Sequence, residues 1–274
     1  MKKRFLLLIL GIVPVLSFAQ SEYTFKENIT YRADPFYKTD YQKERCILDT
    51  YIPEGVSDFP TLVYFHGGGL KGGNKNIPEY LKGKGIAVIA ANYRFFPQVG
   101  TDVVVDDAAA AVAWTFNNIE ALGGSKEKIF LSGHSAGGYL TSMLGLDKHF
   151  LAKYDIDADQ IAGLIPLSGH TITHMTVREE RNIGPLKPLV DEWAPLYHVR
   201  ADAPPYIMIT GDRELEMLGR YEENAYMWRM MQLVKHPQTE LHEIDGYGHM
   251  MVYPAIPIVV RKIKELTKAI DSNN

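Results

Sequence analysis

The sequence predicts an α/β fold: a mostly parallel, eight-stranded sheet with helices on both faces. Three observations carry this. Short, continuous apolar runs such as PTLVYF (60–65), GIAVIAANY (85–93) and IAGLIPLS (161–168) are too uniformly hydrophobic for a sheet with one wet face. Between them lie segments of helical spacing, and strands alternating with helices require crossover connections and so parallel pairing. At 274 residues the chain is long enough to close one such domain around a full core, with no second domain required.

Taken in order, residues 1–19 combine Lys2, Lys3 and Arg4 with an apolar run from Phe5 to Leu16 and the small-residue end Ser17-Phe18-Ala19, the pattern of a cleaved signal peptide. The apolar run is shorter than the ~20 residues that span a bilayer, so a membrane anchor is not expected. The expected product is an exported protein, periplasmic or secreted, with a single domain over 20–274. Cleavage after Ala19 leaves 26 basic against 33 acidic residues, a net charge of −7 that disfavours nucleic acid and anionic membranes as partners. Cys46 is the sole cysteine, so no internal disulfide can form, and it reads as a small core residue at the start of a strand. No sequence feature indicates an oligomeric state.

Thr24 to Arg32 and Arg45 to Ile52 alternate apolar and polar residues, as antiparallel strands at a sheet edge do, with a loop expected from Ala33 to Lys43. PTLVYF leads into a glycine-rich loop and a short helix ending near Lys84; GIAVIAANY follows, then a helix from Asp102 to Leu122 stopped by Gly123-Gly124. Asp106 and Asp107 are expected to complement the dipole of that helix. Ile129 to Leu131 form the next strand and Ile161 to Ser168 the sixth. The irregular stretch 169–203 reads as a small cap inserted before the strand that begins at Pro205. A helix from Gly219 to Leu233 should bury the stripe Tyr226, Met230 and Leu233; Thr239 to Ile244 is the last strand, and Pro254 to Ile270 an amphipathic closing helix.

Chemistry concentrates at two glycine clusters. In Gly133-His134-Ser135-Ala136-Gly137 a serine stands on a sharp strand-to-helix turn, with glycine two positions before and two after it, where neighbouring backbones crowd. The helix that follows points its free N–H groups at any negative charge formed beside the hydroxyl. In His66-Gly67-Gly68-Gly69 an apolar strand ends in glycines whose N–H groups can donate to an oxyanion, together with the N–H of Ala136.

With TGDRE at 210–214 and GYGHM at 246–250, these motifs resemble the α/β-hydrolase superfamily over about Arg45 to Leu266. Within it the chain is similar to the HGGG-bearing carboxylesterases related to hormone-sensitive lipase and to bacterial feruloyl and acetyl xylan esterases. The resemblance implies an acyl-transfer site with Ser135 as nucleophile, and with Gly68, Gly69 and Ala136 as the oxyanion donors. His249, in a glycine-flanked loop after the final strand, follows in the chain order this fold imposes on the base, whereas His242 lies inside that strand and His66 and His134 precede the serine. For the acid, Asp212 ends the strand IMITGD at the position the family motif matches. Asp245 competes but is only four residues from His249, and Asp202 sits at the wrong edge of the sheet.

His66, His134, His170 and Trp193 are expected to line the substrate cleft. His170 and His174 stand four apart but lack an HExxH pattern, so no metal is expected, nor any other cofactor. Leu70 stands where related feruloyl and acetyl esterases commonly have an aromatic residue, and the large helical cap of the lipases is missing, which argues against long-chain lipids. The expected activity is hydrolysis of a small-molecule or oligosaccharide ester, removing acetyl or hydroxycinnamoyl groups from carbohydrate. The alternatives are a serine amidase or peptidase using the same residues, of the formamidase or prolyl-peptidase kind, and a non-catalytic binding protein on a hydrolase scaffold.

Overall fold

The computed structural model describes residues 22–32 and 39–273. The expected signal peptide and part of the expected loop at 33–43 lie outside them. Among the described residues the strands are β1 (Tyr23–Thr30), β2 (Ile47–Pro53), β3 (Phe59–Phe65), β4 (Ala87–Ala91), β5 (Gly124–His134), β6 (Gly163–Leu167), β7 (Tyr206–Gly211) and β8 (Thr239–Ile244). They form one sheet in the order β1-β2-β4-β3-β5-β6-β7-β8. β1 pairs antiparallel with β2 and β2 antiparallel with β4 at one edge, and the remaining pairings are parallel.

The helices are α1 (Asp40–Arg45), α2 (Thr101–Asn118), α3 (Ala136–Leu146), α4 (His149–Ala152), α5 (Met175–Glu180), α6 (Arg220–Leu233) and α7 (Val252–Asn273). α1 occupies the end of the expected loop, its first turn capped by the Thr39 hydroxyl, which accepts from the Gln42 N–H. The short helix expected before Lys84 is a single 3₁₀ turn, Glu79–Leu81.

The apolar strands are buried on both faces because strand side chains alternate. In β3, Val63 and Phe65 enter one core layer with the alanines of α2 and with Tyr139 and Leu140 of α3. Leu62 and Tyr64 enter the other with Ile256, Val259 and Ile263 of α7. Cys46 is wholly buried in the first layer.

Two expectations about side chains need correcting. Asp106 and Asp107 lie beyond the first turn of α2, where the acidic residue is Asp102. Asp107 is instead a fully buried anion: its carboxylate accepts from Arg94 Nε (2.7 Å), Arg94 Nη2 (2.7 Å) and Arg32 Nε (2.9 Å). In α6, Tyr226 and Leu233 face solvent, and the buried stripe is Arg220, Glu223, Asn224, Met227 and Met231. Polar residues hold that face inward because each finds partners in the loop after β6: Asn224 Nδ2 donates to Gly169 O, and the Glu223 carboxylate accepts from the Thr171 and Ile172 N–H groups.

The parallel strands end together. Phe65 pairs with Gly133, His134 with Leu167, and Gly211 with Ile244, so the loops after β3, β5, β6, β7 and β8 meet at one sheet edge. The insertion at 169–203 crosses this edge. It is tied to the loop after β3 by a hydrogen bond from the Thr176 hydroxyl to Gly69 O and an ion pair between Lys71 and Glu179.

Candidate active site

Ser135 sits between β5 and α3 with φ 56° and ψ −112°, a conformation few L-residues adopt. Crowding enforces it. A Cβ on Gly133 would lie 2.6 Å from Phe65 O, and one on Gly137 2.1 Å from the same oxygen, so only glycine lets the strand end and the helix start pass this close to β3. The Ser135 N–H donates to Leu167 O at 2.8 Å, which fixes the turn against β6.

The Ser135 hydroxyl stands 2.8 Å from His249 Nε2. On the far side of the ring, His249 Nδ1 stands 2.7 Å from Glu216 Oε1. The acid partner of the histidine is therefore Glu216, where the sequence reading expected Asp212. Asp212 directly follows β7, but its carboxylate turns toward the loop after β8 and accepts from the N–H groups of Gly246 and Glu214, each at 2.9 Å. The backbone then folds back, with the Glu216 N–H donating to Asp212 O at 2.8 Å, and this returns the longer glutamate side chain beneath the strand ends. Asp245 is not bonded to His249 either: the ring contacts no carboxylate but Glu216 among the described residues.

Glu216 is held by more than the histidine. Its Oε2 accepts from the Ser168 hydroxyl (2.6 Å) and the Gly211 N–H (3.1 Å), and its Oε1 from the Met217 N–H (3.0 Å). Burial opposes the negative charge, but the hydrogen bonds from His249, Ser168 and Met217 outweigh it and pull the carboxyl down to about 2. It stays ionised and acceptor-only at any ordinary pH. Nothing in the sequence separated Glu216 from Asp212 and Glu214, which share its acidic run; the usable signal was that this fold accepts either Asp or Glu after β7.

The glycine loop after β3 closes the other side. Gly68 has φ 121°, and a Cβ there would fall 2.0 Å from Gly72 O; Gly69 has φ 65°. The N–H groups of Gly68 and Gly69 have no acceptor among the described residues, and Ala136 opens α3, where helix N–H groups lack intrahelical partners. His66 anchors the loop: its Nδ1 donates to Gly67 O at 2.6 Å and its ring stacks on Tyr93 with centroids 4.3 Å apart. Burial pushes His66 down to about 4. Burial first, and the neighbouring His249 second, push His134 down to about 4 as well, leaving it neutral with its Nε2–H donating to His249 O at 2.7 Å. One histidine thus positions the backbone of the other.

Ser135, His249, His66, His134 and the glycines at 67–69 line a cleft of about 500 Å³ together with Asn74, Asn76, His174, Met175, Met217, Arg220 and Met250. Of the four residues expected to line it, His66 and His134 do. His170 does not; it faces a neighbouring cavity and its Nδ1 bonds Glu223 at 2.8 Å. Trp193 packs behind the wall, its ring near Phe150 and its carbonyl accepting from the Tyr139 hydroxyl. His174 takes the cleft position instead, its Nδ1 accepting the Thr176 N–H at the start of α5.

Esterase LipC of Mycobacterium tuberculosis is 23% identical over 250 residues, 83% of this chain and 60% of that protein. A probable isoprenylcysteine alpha-carbonyl methylesterase, ICMEL1, of Oryza sativa subsp. japonica is 35% identical over 106 residues, 37% of this chain and 25% of that protein. The chain thus spans less than two thirds of the length of either. Among solved structures, a truncated form of a carbohydrate esterase from gut microbiota superposes with a TM-score of 0.74 at 17% identity, covering 91% of this chain and 98% of that one. Residues 48–217 match the BD-FAE family, and the chain belongs to that family of α/β-hydrolase esterases.

Proposed function

We propose that the protein is a serine carboxylic ester hydrolase in which Ser135, His249 and Glu216 carry the chemistry. The observation that supports this most directly is the unbroken chain from Ser135 Oγ through both ring nitrogens of His249 to Glu216. In this reading His249 Nε2 takes the hydroxyl proton as Ser135 Oγ attacks the ester carbonyl, and Glu216 stabilises the imidazolium that forms. The tetrahedral oxyanion is held by the N–H groups of Gly68, Gly69 and Ala136. His249 returns the proton to the leaving alcohol, and a water activated by the same nitrogen releases the acid and restores Ser135.

The substrate we infer is an acetylated or hydroxycinnamoylated carbohydrate. The open cleft supports it. Asn74, held by Arg45 Nη1 at 2.8 Å, and Asn76 offer amide groups suited to sugar hydroxyls, while Met217 and Met250 at the rim suit an apolar acyl group. Export is part of the proposal and rests on the charge and hydropathy pattern of residues 1–19; N-terminal sequencing of protein recovered from the host envelope should begin at Gln20. Purified protein assayed on 4-nitrophenyl acetate, methyl ferulate, acetylated xylan and an aryl amide tests the activity. Turnover of the esters, abolished by Ser135→Ala, is expected. Preference for the amide would favour an amidase, and no turnover of any substrate would leave a binding protein.

A further inference from the structure

We propose that the cleft carries a carboxylate-binding subsite built on Arg220, and that the preferred ester bears a carboxylate near its scissile bond; this rests on the esterase reading above. Arg220 is 2% exposed, opens α6, and lines the same cleft as Ser135 and His249. A buried guanidinium with five N–H donors needs acceptors. Here Nη1 donates to Ser168 O, whereas Nε has no hydrogen-bond partner and Nη2 has none among the described residues.

The nearby carboxylates do not use up this capacity. Glu223 Oε1 makes an ion pair with Arg220 Nε at 3.4 Å but without hydrogen-bonding geometry, and its oxygens already accept from His170 Nδ1 and from the Thr171 and Ile172 N–H groups. Glu216 is taken by His249, Ser168, Gly211 and Met217. A second buried guanidinium, Arg178, shares Glu223 as its electrostatic partner and also leaves its Nε unpaired. His170 adds no acid: burial and Arg220 both keep it neutral. Two buried cations, Arg220 and Arg178, therefore face Glu223, the one nearby carboxylate that His249 does not use, and the N-terminal end of the 14-residue α6 adds its positive end at the same point. Nε is enclosed beside Glu223, so a substrate carboxylate would supply its acceptor to Nη2, the guanidinium nitrogen left over at the cleft.

The carboxylate could belong to the acyl group, as in a dicarboxylic half-ester, or to the alcohol, as in an acylated uronate. The test compares kcat/KM for matched pairs: 4-nitrophenyl hemiglutarate against 4-nitrophenyl valerate, and acetylated methyl glucuronate against acetylated methyl glucoside. The charged member should be preferred by about tenfold or more in one pair, which identifies the source. Arg220→Gln should cut that ratio by a similar factor whatever it does to overall turnover. A second measurement uses the wild-type enzyme alone: glutarate and methyl glucuronate should inhibit hydrolysis of the neutral ester more strongly than their neutral methyl esters do, and less so at high salt. Ratios near one in both pairs, with the neutral esters still turned over, would overturn the subsite and leave the esterase reading standing. Failure to hydrolyse any of the four, together with no labelling of Ser135 by a reactive phosphonate, would overturn both.

Discussion

The two walls of the cleft are built on different physics. On the Ser135 side the backbone decides: the glycines at 133, 137 and 68 sit where any Cβ would meet a carbonyl oxygen within 2.6 Å, and strained φ values follow from strands and loops pressed together. On the Glu216 side the side chains decide. A turn after β7 is folded so that one carboxylate meets two hydroxyl- or ring-bearing residues and two N–H groups, while another, Asp212, braces the His249 loop through Gly246. Steric exclusion tolerates no substitution, whereas a hydrogen-bonded assembly loses strength by degrees, and the two walls should fail differently when altered.

The largest effect is expected at the glycine wall. Gly137→Ala should give little folded protein, because its Cβ would meet the Phe65 backbone in the centre of the sheet; a soluble variant with an unchanged melting temperature would show that the turn can relax. Ser135→Ala should fold and lose about 10⁶ in kcat, read from single-turnover assays on an aryl ester. Gly68→Ala should cost about 10²–10³ in kcat, the scale of one oxyanion donor. Since its Cβ would strike Gly72 O, a lowered melting temperature should accompany the loss.

On the side-chain wall and behind it the effects are smaller and graded. Asp107→Asn should destabilise the fold by about 3–5 kcal/mol, because Arg94 would keep its largely buried charge without an anion and Arg32 would be left with Asp106 alone; urea denaturation measures it. Acid should also loosen the site before it unfolds the rest. His66 and His134 are each pushed down to about 4 in the folded protein, so the unfolded chain binds more protons between their ordinary 6.5 and 4. Stability from keeping them neutral is intact above pH 6.5 and falls progressively toward pH 4. A melting temperature flat from pH 7 to 4 would contradict this.

The strands were legible because PTLVYF or IAGLIPLS can be buried only on both faces, and the elbow because backbone crowding selects glycine. α6 was not legible. Its apolar residues spread around the helix, and the buried face was chosen by Glu223 and Asn224 finding partners in the loop after β6, partners distant in sequence. Glu216 was hidden for the same reason: Asp212, Glu214 and Glu216 are equivalent as letters, and the choice among them is made by the fold-back of one turn.

Glu216, not Asp212, is the acid behind His249, and kcat/KM for Glu216→Gln and Asp212→Asn on one fast ester decides between the two carboxylates. Glu216→Gln should lose about 10³–10⁴, the cost of an imidazolium without its carboxylate, and Asp212→Asn less than about tenfold, because it keeps an oxygen to brace Gly246. The reverse ranking would contradict the assignment of Glu216.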